Sequence, residues 1–145
     1  MAKVVMVSPE DLEEVWKVVE DMIAAGLAQG SGTVRLEDLY KLVASQDGQL
    51  WVAFDEVGGK KLIGSAIVTE VIDYPGKRVV FVHSAGGNDL RDLSDGVEAL
   101  ENWALTVGAK AVGAQTRKGL AKVLERECGW QQQAVVVVKE LARVH

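Results

Sequence analysis

Arg78-Val79-Val80-Phe81-Val82-His83-Ser84-Ala85-Gly86-Gly87-Asn88-Asp89 is the stretch on which the fold turns. Arg78 to His83 is rich in β-branched and aromatic residues and reads as a strand. Ser84 to Asp89 reads as a loop of small turn-forming residues. Val97, Leu100, Ala104 and Val107 then recur at helical spacing, with Ser94 or Asp95 as the cap and Gly108 as the stop. Ala111 to Gln115 is again a short strand. A strand, a crossover helix and a second strand should form a parallel pair with the helix on one face.

Upstream lies a β-meander. Leu50, Val52 and Phe54 alternate with Trp51 and Ala53, and Asp55 to Lys60 reads as a hairpin connection. Leu62 to Ile72 is the next strand, where Gly64 marks a bulge or a close backbone approach. Asp73-Tyr74-Pro75-Gly76 is a turn. Earlier still, Lys3 to Val7 is a strand, and Ser8-Pro9-Glu10-Asp11 has the capping-box pattern of a helix start. Leu12, Val15, Trp16, Val19, Met22 and Ile23 form one apolar stripe, and Gly26 is the expected terminator. A second helix is expected over 34–45, with Gly48 after its end. Downstream, Gly119 to Glu127 reads as a helix ended by Gly129, and Trp130 to Leu141 as a final strand. The order is β-α-α-β-β-β-α-β-α-β. That makes the fold class α+β, or mixed α/β, with helices flanking a central sheet.

The 145 residues suit one domain spanning 1–145. A hydrophobic share of 48% with 26% charged residues is the profile of a globule, not a disordered chain. A formal charge of −5 argues against a general nucleic-acid binder, which needs a basic face. Cys128 is the single cysteine, and His83 and His145 the only histidines, so an internal disulfide and a conventional zinc cluster are excluded. Cys128 itself reads as a buried packing thiol. The N-terminus does not have the pattern of a signal peptide and no apolar run is long enough to span a bilayer, so a cytoplasmic protein is the expectation. Phosphate-binding P-loop, dinucleotide-binding and nucleophile-elbow motifs are absent.

The junction from Val79 to Leu105 is the strongest candidate for chemistry. A strand, a glycine segment and a helix start place backbone N–H groups where they can hold a phosphate. An ordinary turn accounts for the same residues, and Asp89, Asp92 and Asp95 add negative charge nearby.

The element order resembles the GNAT acyl-CoA N-acyltransferase superfamily over essentially the whole chain. The features that carry the resemblance are the leading strand, two consecutive helices, the meander ending in Val79-Val80-Phe81-Val82-His83, and the late helix running into Gly129-Trp130. The chain also looks like compact acyltransferase-like proteins of tailed phages. The resemblance implies a GNAT-like mixed sheet of about six or seven strands with four helices. It implies N-acetyl transfer from acetyl-CoA to an amine, small molecule or protein, through a direct ternary complex. By position, Val82 and Ser84 would meet pantetheine, and Gly86, Gly87 and Asn88 the pyrophosphate. His83 is the candidate base, since imidazole suits proton traffic near neutral pH. The other implied role is a catalytically inactive GNAT-fold protein, a phage accessory, virion or interaction component.

Two positions depart from the family pattern. The family's loop usually opens on Arg or Gln, which is missing before Gly86, and Glu125 stands where a thiolate-protonating tyrosine is common. Elsewhere, Trp16, Trp51, Trp103 and Trp130 read as core. Thr116-Arg117-Lys118 reads as a solvated basic turn, or as a contact for a CoA 3′-phosphate or a nucleic-acid backbone. The acidic residues of the first two helices read as a solvated face or an attractor of basic partners. Gln131-Gln132-Gln133 opens a strand whose edge is a candidate for pairing in a homodimer.

Overall fold

The computed structural model describes residues 3–27, 34–87, 90–116, 118–139 and 141–142. Among them five strands form one sheet in the order β1-β2-β3-β4-β5. They are β1 (Lys3–Met6), β2 (Gly48–Val57), β3 (Lys60–Asp73), β4 (Arg78–Gly87) and β5 (Ala111–Ala114). The first four are antiparallel neighbours, and β5 runs parallel to β4. The helices are α1 (Leu12–Leu27), α2 (Leu36–Ala44), α3 (Leu90–Thr106) and α4 (Lys118–Cys128). The α+β class, the four helices and the parallel pair agree with the sequence reading; the strand number does not. The described residues between Trp130 and Leu141 form no strand: they pair with no neighbour in the sheet, and β-propensity alone makes no ladder.

Alternation along the strands divides the apolar residues between two cores. Leu12, Trp16, Val19 and Ile23 of α1, with Leu39 and Val43 of α2, pack on Leu50, Val52, Phe54, Ala66 and Val68. On the opposite face Leu100 and Ala104 of α3 pack on Trp51, Ile67 and Val80. Burial of this kind is worth roughly 1.5–3 kcal/mol per large side chain and is the main source of cohesion. One polar chain sits inside it. The Trp51 indole N–H donates to Thr69 Oγ1 at 3.0 Å, and that hydroxyl donates to Gln49 Oε1 at 2.8 Å.

Several local expectations change. Gly26 does not end α1, which runs on to Leu27; the helix lies so close to β4 there that a Cβ would meet the Ser84 hydroxyl. Gly48 is not the residue that turns the chain out of α2. Gln46 takes the left-handed conformation (φ 67°), and Gly48 already belongs to β2, where a side chain would collide with Leu42. At the other end of α2 the Asp38 carboxylate accepts the Arg35 N–H at 3.0 Å. The helix after β4 starts at Leu90, before the expected caps Ser94 and Asp95. Gly108 and Gly129 do stop α3 and α4, with φ of 79° and 74°. The bulge expected at Gly64 is present: Ala53 pairs with Ser65 and Phe54 with Ile63, leaving Gly64 as the extra residue.

The β3–β4 hairpin is tied down at its tip. Arg78 Nε and Nη2 donate to the two Asp73 carboxylate oxygens at 2.6 and 3.2 Å, while Nη1 donates to the Val107 carbonyl at 2.7 Å. One guanidinium thus joins the hairpin to the C-terminal end of α3.

Candidate functional site

The site grows out of an irregularity in β4. Val68 pairs with Ser84 but Thr69 pairs with Val82, so His83 is an extra residue in the ladder. A bulge of this kind puts two successive side chains on one face. His83 reaches Glu70 and Ser84 reaches α1, while Val80 and Val82 face the α3 core. The bulge therefore reverses the facing of the strand beyond it. Ser84 and Gly86 turn toward α1, and Ala85 turns toward the other core.

Around the bulge the polar groups converge. His83 Nε2 lies 2.8 Å from Glu70 Oε1, with the imidazole 15% exposed and the carboxylate 31%. Phe81 packs edge-on to the imidazole, with centroids 5.1 Å apart. The ring is thus held on one edge by Glu70 and on one side by Phe81, and its Nδ1 atom is the nitrogen not engaged by Glu70. Ser84 Oγ donates to the Ile23 carbonyl at 2.8 Å, and the residue is buried.

The second feature is that β4 outruns β5. β5 pairs with β4 only over Val79–Val82, against Ala111–Ala114. Beyond Val82, β4 continues to Gly87 alongside β3, and its other side has no strand among the described residues. Ser84 to Gly87 is therefore strand, not the expected loop. A sheet that lets two parallel strands part leaves main-chain donors and acceptors at the opening.

The glycines of this segment are there for packing. A Cβ on Gly86 would collide with the Met22 carbonyl oxygen of α1, and one on Gly87 with Gly64 O and Ser65 Cβ of β3. Asn88, Asp89, Arg117 and Gln29 to Gly32 lie outside the described residues. Glu125 is exposed on α4. Cys128 is half-buried, not fully buried as expected, and desolvation pushes its thiol up from 9.0, with Glu101 and Glu127 adding to the shift. The four tryptophans are buried or half-buried, as the sequence reading expected.

A five-stranded mixed sheet with two helices before the meander has clear counterparts among solved structures. An aminoglycoside acetyltransferase from an uncultured soil metagenomic sample, solved with sisomicin, superposes with a TM-score of 0.69 at 15% identity, covering 97% of both chains. The glucosamine-6-phosphate N-acetyltransferase of Arabidopsis thaliana gives 0.66 at 15% identity over 98% of this chain and 99% of its own. An acetyltransferase from Trypanosoma brucei gives 0.65 at 10% identity over 97% and 100%. The chain shares its fold with these acetyltransferases. No family model matches the sequence, and no relative is found among curated proteins. The likeness is carried by topology, with little shared sequence.

Glu70 is the member of the site that the sequence reading passed over. The signal was present: within Ser65 to Ile72 it is the one ionisable residue in an otherwise apolar strand. Among the described residues no group of three or more His, Cys, Asp or Glu could hold a metal ion, and no helix is long and apolar enough to cross a membrane.

Proposed function

We propose that the chain is an N-acetyltransferase that moves an acetyl group from acetyl-CoA to a primary amine in a ternary complex. The observation that carries this reading is the fork beyond Val82, with the bulged His83 at its apex. An unpaired strand edge suits the amide-bearing pantetheine arm, which bonds to main chain as an added strand would. The main chain of Val82 and Ser84 would hold that arm. Gly86, Gly87 and Asn88, just before α3, would meet the pyrophosphate through backbone N–H groups. When bound, acetyl-CoA supplies an acyl group activated as a thioester.

The chain's own contribution is proton handling and positioning. An amine attacks only when unprotonated, so a base must remove a proton from the incoming ammonium or from the adduct. His83, through the ring nitrogen that Glu70 does not engage, is the group proposed for this. Glu70 fixes the ring through Nε2 and stabilises the imidazolium that forms. The acceptor is a small-molecule or protein amine, and dependence on the intracellular CoA pool argues for a cytoplasmic enzyme. One observation favours a second reading. Glu125, exposed on α4, stands at the position of the family tyrosine, so the phenol common there is missing. On that reading the fold serves protein contacts, as in a phage accessory or virion component.

Calorimetry with acetyl-CoA, followed by thiol-release assays over a panel of amines, separates the two. Binding together with thiol release that His83→Ala abolishes supports the enzyme. No binding at millimolar acetyl-CoA would sink it, and specific co-purification with a partner would then support the second reading.

A further inference from the structure

The face of the sheet opposite α3 carries an apolar floor beside His83 that proton handling does not use. Alternation decides its lining. Val71, Val80, Val82 and Val112 pack toward α3, so Ile72 of β3, Val79 and Phe81 of β4, and Ala111 and Gly113 of β5 project the other way. α1 covers the next stretch of the same face, over Ser84 and Gly86, and ends at Leu27. Ile72, Phe81, Ala111 and Gly113 are only half-buried, so the floor is open along part of its length. His83, packed on Phe81, and its partner Glu70 stand at the margin.

Gly113 has no packing reason to lack a side chain. A glycine inside a strand weakens it, and marks a bulge, a close backbone approach or a place where a ligand comes near. The unbroken pairing of β4 with Ala111–Ala114 excludes a bulge. A Cβ on Gly113 would meet a single atom among the described residues, Val79 Cγ1 at 3.8 Å, which is ordinary contact and excludes a close backbone approach. Its φ is not in the left-handed region either. Gly86 and Gly87, pressed by neighbouring backbone, differ on this point. A ligand is the remaining reason.

Given the N-acetyltransferase reading above, on which this rests, we infer that the floor holds the body of the acceptor. The acceptor is then a primary amine on a flat apolar group, an arylalkylamine, and Gly113 is the residue that admits the ring. None of the five floor residues has a polar side chain, so the hydroxyls of a sugar amine would lose water there and find no partner. An aromatic ring loses nothing of the kind. It can lie on the bare backbone of Gly113 beside Phe81, the paired residue one strand spacing of about 5 Å away. His83 lies two residues farther along β4, roughly 7 Å at the strand rise. A short alkyl tether spans that gap and brings the nitrogen to the His83–Glu70 pair, whose carboxylate suits an ammonium.

The test uses the full chain, acetyl-CoA and two probes, 2-phenylethylamine and glucosamine. Thiol release should give 2-phenylethylamine a kcat/KM at least about 100-fold above that of glucosamine. Gly113→Val puts a side chain where the ring would lie. It should melt at or above wild type, since valine suits a strand and has room there. It should raise KM for 2-phenylethylamine by about 10-fold or more, with the acetyl-CoA dissociation constant unchanged by calorimetry. Gly113→Ala, the smaller step, should move KM the same way by less. A lower melt with unchanged KM in both variants marks a structural glycine and overturns the inference. Wild-type protein that binds acetyl-CoA but acetylates glucosamine as well as 2-phenylethylamine, or acetylates neither, overturns the acceptor assignment alone. Protein that binds no acetyl-CoA at millimolar concentration overturns the N-acetyltransferase reading itself, and the acceptor with it.

Discussion

Gly86→Ala is the substitution that tests how β4 is seated. The added Cβ would run into the Met22 carbonyl oxygen, which is backbone of α1 and cannot rotate away. Either α1 lifts or β4 shifts. Small-to-large changes in a packed interior cost about 1–3 kcal/mol, and backbone on both sides puts this one at the upper end. Lifting α1 also stretches the 2.8 Å bond from Ser84 Oγ to the Ile23 carbonyl, a loss of about 1 kcal/mol. The expected destabilisation is about 3–4 kcal/mol. For a domain of this size each kcal/mol moves the melting temperature by about 2–4 °C, so a fall of roughly 6–16 °C is expected by circular dichroism. Gly76→Ala is the control: its Cβ would meet nothing within 4 Å, and stability should change by less than about 0.5 kcal/mol. A Gly86→Ala protein melting within about 2 °C of wild type would refute the close seating of α1 on β4.

Three further outcomes are expected. Thr69→Val removes the acceptor of the buried Trp51 N–H and should cost about 1–3 kcal/mol in urea unfolding, with an unchanged m-value. The Arg78 guanidinium holds the Asp73 carboxyl below its ordinary 3.8, so the pair's stabilisation is fully present above that pH and is lost as pH falls through the lowered value. Melting-temperature differences between wild type and Asp73→Asn should therefore shrink as pH drops below about 4. Glu70→Ala should lower kcat by about 10- to 100-fold through a misoriented His83, with KM for acetyl-CoA unchanged; steady-state kinetics across pH reads both, and a wild-type kcat would remove Glu70 from the mechanism.

Regular parts of the fold were legible because their signals are local. The stripe from Leu12 to Ile23 and the alternation of Leu50, Val52 and Phe54 each report a buried face without knowledge of the partner. Gly64 was readable because a glycine inside a strand pattern marks either a bulge or a close approach of backbone, and both weaken the ladder at that point. Gly26, Gly48, Gly86 and Gly87 were misread for the converse reason. Each is excused from having a side chain by the packing of another segment, and nothing local distinguishes such a glycine from a turn residue. The final strand failed similarly. Its β-propensity is genuine, but pairing is a property of two segments, and propensity in one of them does not say whether the other is alongside.

The bulge at His83 shows how one extra residue serves packing and site together. In a regular strand Ser84 would share a face with Val80 and Val82, toward α3, and so would Gly86. The inserted residue turns both toward α1, where a hydroxyl finds the Ile23 carbonyl and a glycine accepts the approach of Met22. The same insertion leaves His83 beside Glu70 at the level where β5 stops pairing. Deleting His83 would close the ladder at this point. Ser84 would follow Val82 directly and still pair with Val68, so Ser84 and Gly86 would keep facing α1 while the imidazole beside Glu70 is lost. His83→Ala keeps the bulge and loses only the ring. Both variants should therefore melt near wild type, and a deletion that melts far below the substitution would show that the bulge itself, and not the pairing on either side of it, holds the distal half of β4 against α1.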